Sequence, residues 1–435
     1  MGGSDDQSLS RLGSQTSGVM MLKVASLLLG LVATVVLARS LGPGGFGIYS
    51  FVIAVASLVV LPAHAGLGTL MVRETAAGRA VANWGRVRGF WRWAFRISTL
   101  STLAIAGVLI AALVTWGERL SPTEYWAALG GIVLIPLLVA NSLRIALMQG
   151  IGEPVKGVML EALVKPGLLL LGVGTLALAS RLEPGMAVGV NAAATAVAVA
   201  GGLLWFQRLR PPETLGVSPV FMPGDWWRAL IPLALLMGAQ QLIKYTDIVL
   251  LGLLTTAVDV GQYRIAAQAA ELIIFVLVGV TLVVGPRVAR LHALHDHAGL
   301  QRLVVRAARW SFLAAIAAFA VLYFAGEWLL RVIFGGDYTV AIGPLLILAA
   351  GQIGVAFFGL APTVLKMTGH ERISLRILVA ASMTNIVLNL ALIPPLGMLG
   401  AAISTAVTLA AAHAVLALAA SRSLGLRTLP LQGRG

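Results

Sequence analysis

Several charged side chains lie inside long apolar stretches of this sequence. Lys244 and Asp247 are three residues apart, and Arg264 and Glu271 are seven apart, so each pair shares one face of a helix. A charge at the centre of a bilayer costs roughly 2.5–3.5 kcal/mol on insertion scales, and it usually faces a protein interior or a water-filled cavity. The cations could therefore bind an anion, and the carboxylates could carry a coupling proton or Na⁺. An internal ion pair between Lys244 and Asp247, or an Arg264 side chain that reaches the membrane interface, is an equally open interpretation.

A second group of charges and a set of amides complete the candidate site. Glu161 and Lys165 have the i,i+4 spacing, which fits a ligand site or a local helix pair. Arg144 lies near a helix end, where it could contact a ligand or reach the interface. Arg39 ends the first apolar stretch, where a cation also stabilises a helix carboxyl end. Amides can hydrogen-bond a sugar or a neighbouring helix, and the candidates are Asn141, Gln240, Gln241, Asn385 and Asn389.

Twelve apolar stretches are long enough to carry these residues across a bilayer. Hydrophobic residues make up 59% of the chain and charged residues 11%, whereas a soluble domain carries about 25% charged residues. A membrane-spanning helix needs about 20 apolar residues, and lipid cannot satisfy free backbone polar groups. We therefore predict an all-α integral membrane protein with spans 19–38, 48–71, 97–116, 126–148, 158–179, 185–206, 229–254, 262–285, 311–333, 343–365, 377–394 and 398–420.

The net charge of +14 follows from membrane topology. Eighteen lysines and arginines lie in five loops on the side of the N-terminus, and only three lie in the loops of the opposite side. Cytoplasmic loops carry the excess of basic residues, so both termini are predicted to be cytoplasmic. The basic residues are therefore no sign of a nucleic-acid partner.

Enzyme signatures are missing from the sequence. It has no nucleophile elbow, P-loop or HExxH motif, and it has no cysteine for thiol chemistry or a thiolate metal site. His292, His295 and His297 form a cluster with Asp296 as their one nearby carboxylate, and a solvated loop explains them better than a metal site does. We expect a protein that is not an enzyme and has no metal or cofactor.

The two halves of the chain resemble each other. When the sequence is aligned with itself so that 33–56 lies over 247–270, Gly47 and Tyr49 meet Gly261 and Tyr263. Six helices per half is an even number, which predicts a parallel repeat with a pseudo-two-fold axis along the membrane normal. The predicted organisation is a cytoplasmic tail 1–18, a six-helix bundle 19–206, a proline-containing cytoplasmic linker 207–228, a second six-helix bundle 229–420 and a cytoplasmic tail 421–435.

Five short stretches carry a family resemblance. They are ARSLGPGGFGIYS (38–50), HAGLGTLMVRE (64–74), LMQGIGEP (147–154), DIVLLGLLTTAVDVGQY (247–263) and TNIVLNLALIPPLGMLGAAIST (384–405). In this order and spacing they resemble the polysaccharide flippases, the O-antigen and exopolysaccharide exporters of bacteria. That family belongs to a superfamily with the multidrug and toxic compound extrusion transporters and the lipid II flippases.

The resemblance implies a transporter of the bacterial inner membrane. Its cavity would lie between two six-helix bundles and open alternately to either side. The cargo would be an undecaprenyl-pyrophosphate-linked oligosaccharide, moved from the cytoplasmic to the periplasmic leaflet with H⁺ or Na⁺ coupling. Membrane lipids and the polysaccharide polymerase machinery are the other implied partners. In this scheme the cations meet the pyrophosphate, the carboxylates carry the coupling ion, and the amides contact the glycan.

Two rival functions remain open. A cation-coupled drug or metabolite exporter on the same frame would favour carboxylates and aromatic side chains over cations in the cavity. A membrane-embedded glycosyltransferase or polymerase would need a catalytic carboxylate in a large outer loop. The predicted outer loops are at most about ten residues long on these spans, and the first span carries no carboxylate. Both observations favour the flippase.

Overall fold

A computed structural model describes the backbone of residues 2–426 and 429–430. Side chains are described within these ranges apart from 2–17, 274–278 and 282–283. Residue 1 and residues 427–428 and 431–435 of the predicted tails lie outside the described residues. Within the described part the secondary structure is helical. The helices are α1 (Gly2–Val59), α2 (Leu61–His64), α3 (Leu67–Ala80), α4 (Trp84–Trp116), α5 (Pro122–Gly150), α6 (Pro154–Met159), α7 (Lys165–Leu178), α8 (Pro184–Leu209), α9 (Pro223–Leu254), α10 (Ala257–Ala293), α11 (His297–Ile333), α12 (Ile342–Phe358), α13 (Ala361–Met367), α14 (Glu371–Leu396) and α15 (Met398–Leu424).

The predicted all-α membrane protein is confirmed. Nine helical segments of the described chain are long and apolar enough to cross a bilayer. One of them, α1, holds two of the predicted spans, because Gly42 adopts φ 65° and ψ 175° and interrupts the helix before Pro43. A positive φ is readily adopted by glycine, so the chain can turn here between the two spans. The helices α9 and α10, which are 32 and 37 residues long, are also long enough to cross a bilayer and contain the seventh and most of the eighth predicted spans.

The helices of the second half repeat those of the first in the alignment that the sequence predicts. The second part of α1 starts at Pro43 and α10 starts at Ala257, while α8 starts at Pro184 and α15 at Met398. Both pairs of starting points coincide when 33–56 is placed over 247–270. The same alignment therefore holds at the second and at the last span of each half. Such a constant spacing is the sequence signature of two repeated units with the same helix order.

The chain forms two compact units, Met1–Gly238 and Ala239–Gly435. The division falls inside α9 and not in the predicted linker 207–228. The beginning of α9 belongs to unit 1 because Trp226, only 1% exposed, packs against Phe90 and Trp93 at ring-centroid distances of 5.3 and 5.2 Å. Burial of such large aromatic surfaces stabilises the contact strongly.

The end of the predicted linker is bound to α4. The Val220 backbone N–H donates to the Gly85 carbonyl at 2.9 Å, and Arg88 Nη1 donates to the Val217 carbonyl at 2.7 Å. These bonds satisfy polar groups of a segment that has no regular secondary structure of its own. The stretch 217–220 is therefore a fixed part of unit 1.

Candidate functional site

Lys244 and Glu271 form an ion pair that joins α9 to α10 within unit 2. Lys244 Nζ lies 3.7 Å from Glu271 Oε1, and each side chain is 42% exposed. The sequence suggested Asp247 as the partner of Lys244, and the structure corrects this pairing. Lys244 lies on the exposed side of α9, where the nearest available carboxylate comes from the neighbouring helix.

Asp247 is buried on the other side of α9 and is only 4% exposed. Its Oδ2 atom accepts hydrogen bonds from the Tyr263 hydroxyl at 2.5 Å and from Thr405 Oγ1 at 3.4 Å. Arg264 acts on it electrostatically and is itself half-buried. A buried carboxylate is tolerated when its oxygens are hydrogen-bonded and a cation is near. Neither Tyr263 nor Thr405 was among the predicted site residues, because only the fold brings α10 and α15 beside Asp247.

Asn385 and Asn389 lie in the packed contact between α14 and α15. Both are fully buried. Asn385 Nδ2 donates to Thr405 Oγ1 at 3.4 Å, Ser404 Oγ donates to the Asn385 carbonyl at 3.2 Å, and Asn389 Nδ2 donates to Asn385 Oδ1 at 3.0 Å. We expected both amides to line a polar cavity. The structure instead places Asn385 in helix–helix hydrogen bonds, which polar residues commonly make inside membranes, while Asn389 bonds to Asn385 within α14.

Unit 1 contains the second cluster, built around Arg144 of α5. The side chain is 1% exposed. Its Nη2 donates to Asn141 Oδ1 at 2.8 Å, and its Nη1 donates to the Gly157 carbonyl at 3.2 Å. The sequence allowed Arg144 to reach the interface or to contact a ligand, but burial prevents both in this structure. The guanidinium can be buried because several acceptors surround its donors.

Glu161 connects Arg144 and Asn141 to Lys165. Its Oε2 accepts from Asn141 Nδ2 at 2.6 Å, and its Oε1 lies 3.1 Å from Lys165 Nζ. Glu161 belongs to a π-helical turn, Leu160–Val164, and such turns occur frequently at functional sites. Lys165 is 17% exposed and Glu161 is 32% exposed at the side chain. The predicted i,i+4 pair is therefore present, and it is the accessible edge of a buried network.

The remaining predicted residues take no part in the contacts described above. Arg39 is exposed, three residues before the break at Gly42. Gln240 is exposed and Gln241 is half-buried, both on α9. Among the described residues, no group of three or more histidine and carboxylate side chains could hold a metal ion.

Comparison with known proteins identifies the family. The profile of the family described as polysaccharide biosynthesis protein matches residues 12–292, and the MatE profile matches residues 232–391. The chain belongs to the polysaccharide biosynthesis protein family. It is also 21% identical, over 86% of its length and 76% of the relative, to the probable low-salt glycan biosynthesis flippase Agl15 of Haloferax volcanii.

Solved structures share the fold. An inward-facing multidrug resistance MATE family transporter of the MOP superfamily superposes with a TM-score of 0.75 at 15% identity, covering 92% of this chain and 94% of that one. The lipid II flippase MurJ in an inward closed conformation gives a TM-score of 0.73 at 12% identity, covering 92% and 87%. The resemblance seen in the sequence motifs is thus confirmed, and the chain is a multi-pass membrane protein of the MOP transporter superfamily.

The charged side chains of the two units differ in their exposure to solvent. Asp247 and Arg144 are sealed from solvent and hydrogen-bonded on several sides. The Lys244–Glu271 pair is partly exposed, and its charged atoms are 3.7 Å apart. Charged side chains within membrane helices usually face a protein interior or a water-filled cavity, because contact with lipid is costly.

Proposed function

We propose that this protein is a flippase that moves a lipid-linked oligosaccharide from the cytoplasmic to the periplasmic leaflet by alternating access. The single observation that carries the proposal is the exposed Lys244–Glu271 pair in unit 2. Family membership and the likeness to Agl15, a probable glycan biosynthesis flippase, support the class of cargo. We further propose that the lipid carrier of the cargo is undecaprenyl pyrophosphate and that the protein lies in the inner membrane of a bacterium. The relative itself is archaeal.

In the proposed transport step, Lys244 binds the pyrophosphate of the cargo. At 3.7 Å its contact with Glu271 is longer than a close charge-assisted hydrogen bond of about 2.7–2.9 Å. A phosphate oxygen can therefore replace the carboxylate at small cost. Glu271, released from its cation, would then take up a coupling proton or Na⁺. Lys165 and Glu161 offer a second accessible pair of the same composition in unit 1.

A cation-coupled drug exporter is the second candidate. The MatE profile match over 232–391 and the superposition on a multidrug transporter favour it. A cationic drug would compete with Lys244 for Glu271, whereas an anionic cargo would compete with Glu271 for Lys244. Replacing Lys244 by an uncharged residue therefore separates the two functions: it impairs export of an anion and spares or improves export of a cation.

The test uses a host that lacks its own copy of the gene and is complemented with variants. Lys244→Ala and Glu271→Gln should reduce surface polysaccharide about tenfold or more, since a hydrogen bond to a charged group contributes about 1.5–3 kcal/mol. Lipid-linked oligosaccharide should accumulate at the same time. Lys244→Arg should keep part of the activity, because the charge remains while its geometry changes.

Arg331→Ala is the matched control. Arg331 and Glu327 form an ion pair at 3.0 Å on α11, and their side chains are 65% and 61% exposed. This substitution also removes one cation from an exposed pair, and it should leave export normal. Normal surface polysaccharide in Lys244→Ala, at normal protein amount, would contradict the proposed site. Improved export of a cationic dye by the same variant would favour the drug exporter.

A further inference from the structure

Four arginines surround a groove at one end of the α10–α11 pair in unit 2. Arg287 and Arg290 come from the end of α10, and Arg302 and Arg306 come from the beginning of α11. The groove has a volume of about 440 Å³. All four side chains are exposed. Charge bias predicts that this end of the helices faces the cytoplasm.

The groove contains no acidic side chain to balance these charges. Within the described part of the chain, no carboxylate lines it, and none forms an ion pair with any of the four arginines. The nearest acidic residue in sequence, Asp296, is used at the start of α11, where Oδ1 accepts from the Gly299 N–H at 2.7 Å. Like charges placed this close repel one another, so the arrangement favours an external anion.

In unit 1, a carboxylate of the protein itself balances the equivalent positive charge. In the alignment of the two halves, Arg73 corresponds to Arg287, and Glu74 corresponds to Val288. Glu74 is 5% exposed and lies 3.5 Å from Arg73 and 2.7 Å from Arg86. Unit 2 replaces this acid by the fully buried Val288 and keeps the arginine.

The neighbouring arginines show the same difference. Arg88 and Arg92 of α4 correspond to Arg302 and Arg306 of α11. In unit 1, Arg88 donates to the Val217 carbonyl of the linker at 2.7 Å. In unit 2, Arg302 donates to the Ala298 carbonyl of its own helix at 3.3 Å. The cations have thus been retained in unit 2 without the carboxylate and the linker segment that engage them in unit 1.

We propose that this groove binds the phosphate of an anionic phospholipid. Guanidinium groups fit phosphate oxygens in a bidentate geometry, which makes arginine the common choice for phosphate. Leu291, Leu294 and Leu303 line the groove beside the arginines. A lipid presents an acyl chain next to its phosphate and can use both surfaces, whereas a free phosphate ion cannot use the leucines. The bound lipid would hold the ends of α10 and α11 in one arrangement during transport.

The test measures lipid binding to the purified full-length protein in an uncharged detergent. Short-chain phosphatidylglycerol should raise the Tm, followed by intrinsic tryptophan fluorescence, in a saturable way. The double variants Arg287→Gln/Arg290→Gln and Arg302→Gln/Arg306→Gln should each raise the half-saturating concentration about 30-fold. Without lipid, their Tm should not fall, because each variant removes charges that repel one another.

Arg208→Gln/Arg210→Gln is the matched control. Both arginines are exposed at the end of α8 in unit 1, and neither lines the groove, so this variant loses the same charge and should bind the lipid like the original protein. The proposal would be overturned by equal weakening in the control, or by undiminished binding in both groove variants. Equal stabilisation by sodium phosphate would exclude the lipid as the source of the phosphate, and equal stabilisation by phosphatidylcholine would exclude a requirement for net negative charge.

Discussion

Tyr263 donates its hydroxyl hydrogen to Oδ2 of Asp247 at 2.5 Å, and this bond joins the first two spans of unit 2. The equivalent tyrosine of unit 1, Tyr49, accepts a hydrogen bond at 2.8 Å from Asn191. Asn191 occupies the position equivalent to Thr405 in the alignment of the two halves. In unit 1 the buried tyrosine therefore bonds directly to the sixth span, whereas in unit 2 Asp247 links the buried tyrosine to Thr405 of the sixth span.

The acid is the part that unit 2 adds to this arrangement. The position equivalent to Asp247 in unit 1 is Ala33, which is 2% exposed. We therefore expect Asp247→Ala to fold at normal protein amount, because Tyr263 can bond to Thr405 as Tyr49 bonds to Asn191. If Asp247 carries the coupling ion, the same variant should lose uphill transport and keep cargo binding. Normal export in Asp247→Ala would exclude it as a coupling residue, and a large loss of protein would show that the carboxylate is structural.

Arg144 should be the most sensitive single residue of the unit 1 cluster. Arg144→Ala leaves Asn141 Oδ1 and the Gly157 carbonyl without the donor they have in the buried cluster, and each buried acceptor left unsatisfied costs about 1–3 kcal/mol. Lys165→Ala should cost less, since Lys165 is partly exposed at one edge of the network. Tryptophan fluorescence during heating should give a much lower Tm for Arg144→Ala than for Lys165→Ala. Equal Tm values for the two variants would contradict this account.

Gly89 and Gly107 of α4 give a paired test of the linker contact. A Cβ atom at Gly89 would overlap the Val220 carbonyl oxygen, whereas at Gly107 it would meet nothing within 4 Å. Gly89→Ala should therefore displace the linker and lower the Tm. Gly107→Ala should leave the Tm unchanged or raise it, because alanine favours a helix by about 0.8–1.0 kcal/mol over glycine. Proteolysis within 217–220 should become faster in the Gly89 variant alone.

Topology can be tested with single cysteines, since the chain has none of its own. Val81 and Leu294 are 74% and 63% exposed on the side predicted to be cytoplasmic, and Gly336 lies in open space on the opposite side. In whole cells an impermeant thiol reagent should label Gly336→Cys. Val81→Cys and Leu294→Cys should be labelled only after the membrane has been permeabilised. The reverse labelling would place both termini outside and overturn the predicted orientation.

The sequence by itself determined the membrane frame. The twelve spans, the alignment of the two halves and the family follow from patterns that are local in the chain: apolar length, basic loops and short motifs. Lipid leaves helices as the only way to satisfy the backbone of such spans. The ion pair of Glu161 and Lys165 could also be predicted from the sequence, because residues four positions apart lie side by side on any helix.

Only the tertiary structure decided which charges meet. Lys244 and Asp247 are three residues apart, but three residues still leave an angle of about 60° around the helix axis. That angle is enough for Asp247 to face Tyr263 and Thr405 in the packed interior while Lys244 reaches Glu271 on the exposed side. Arg144 likewise finds Gly157 only because α5 and α6 pack together. Spacing along a helix identifies the face on which a charge lies, and the packing of neighbouring helices determines whether that face is buried and which partner it meets.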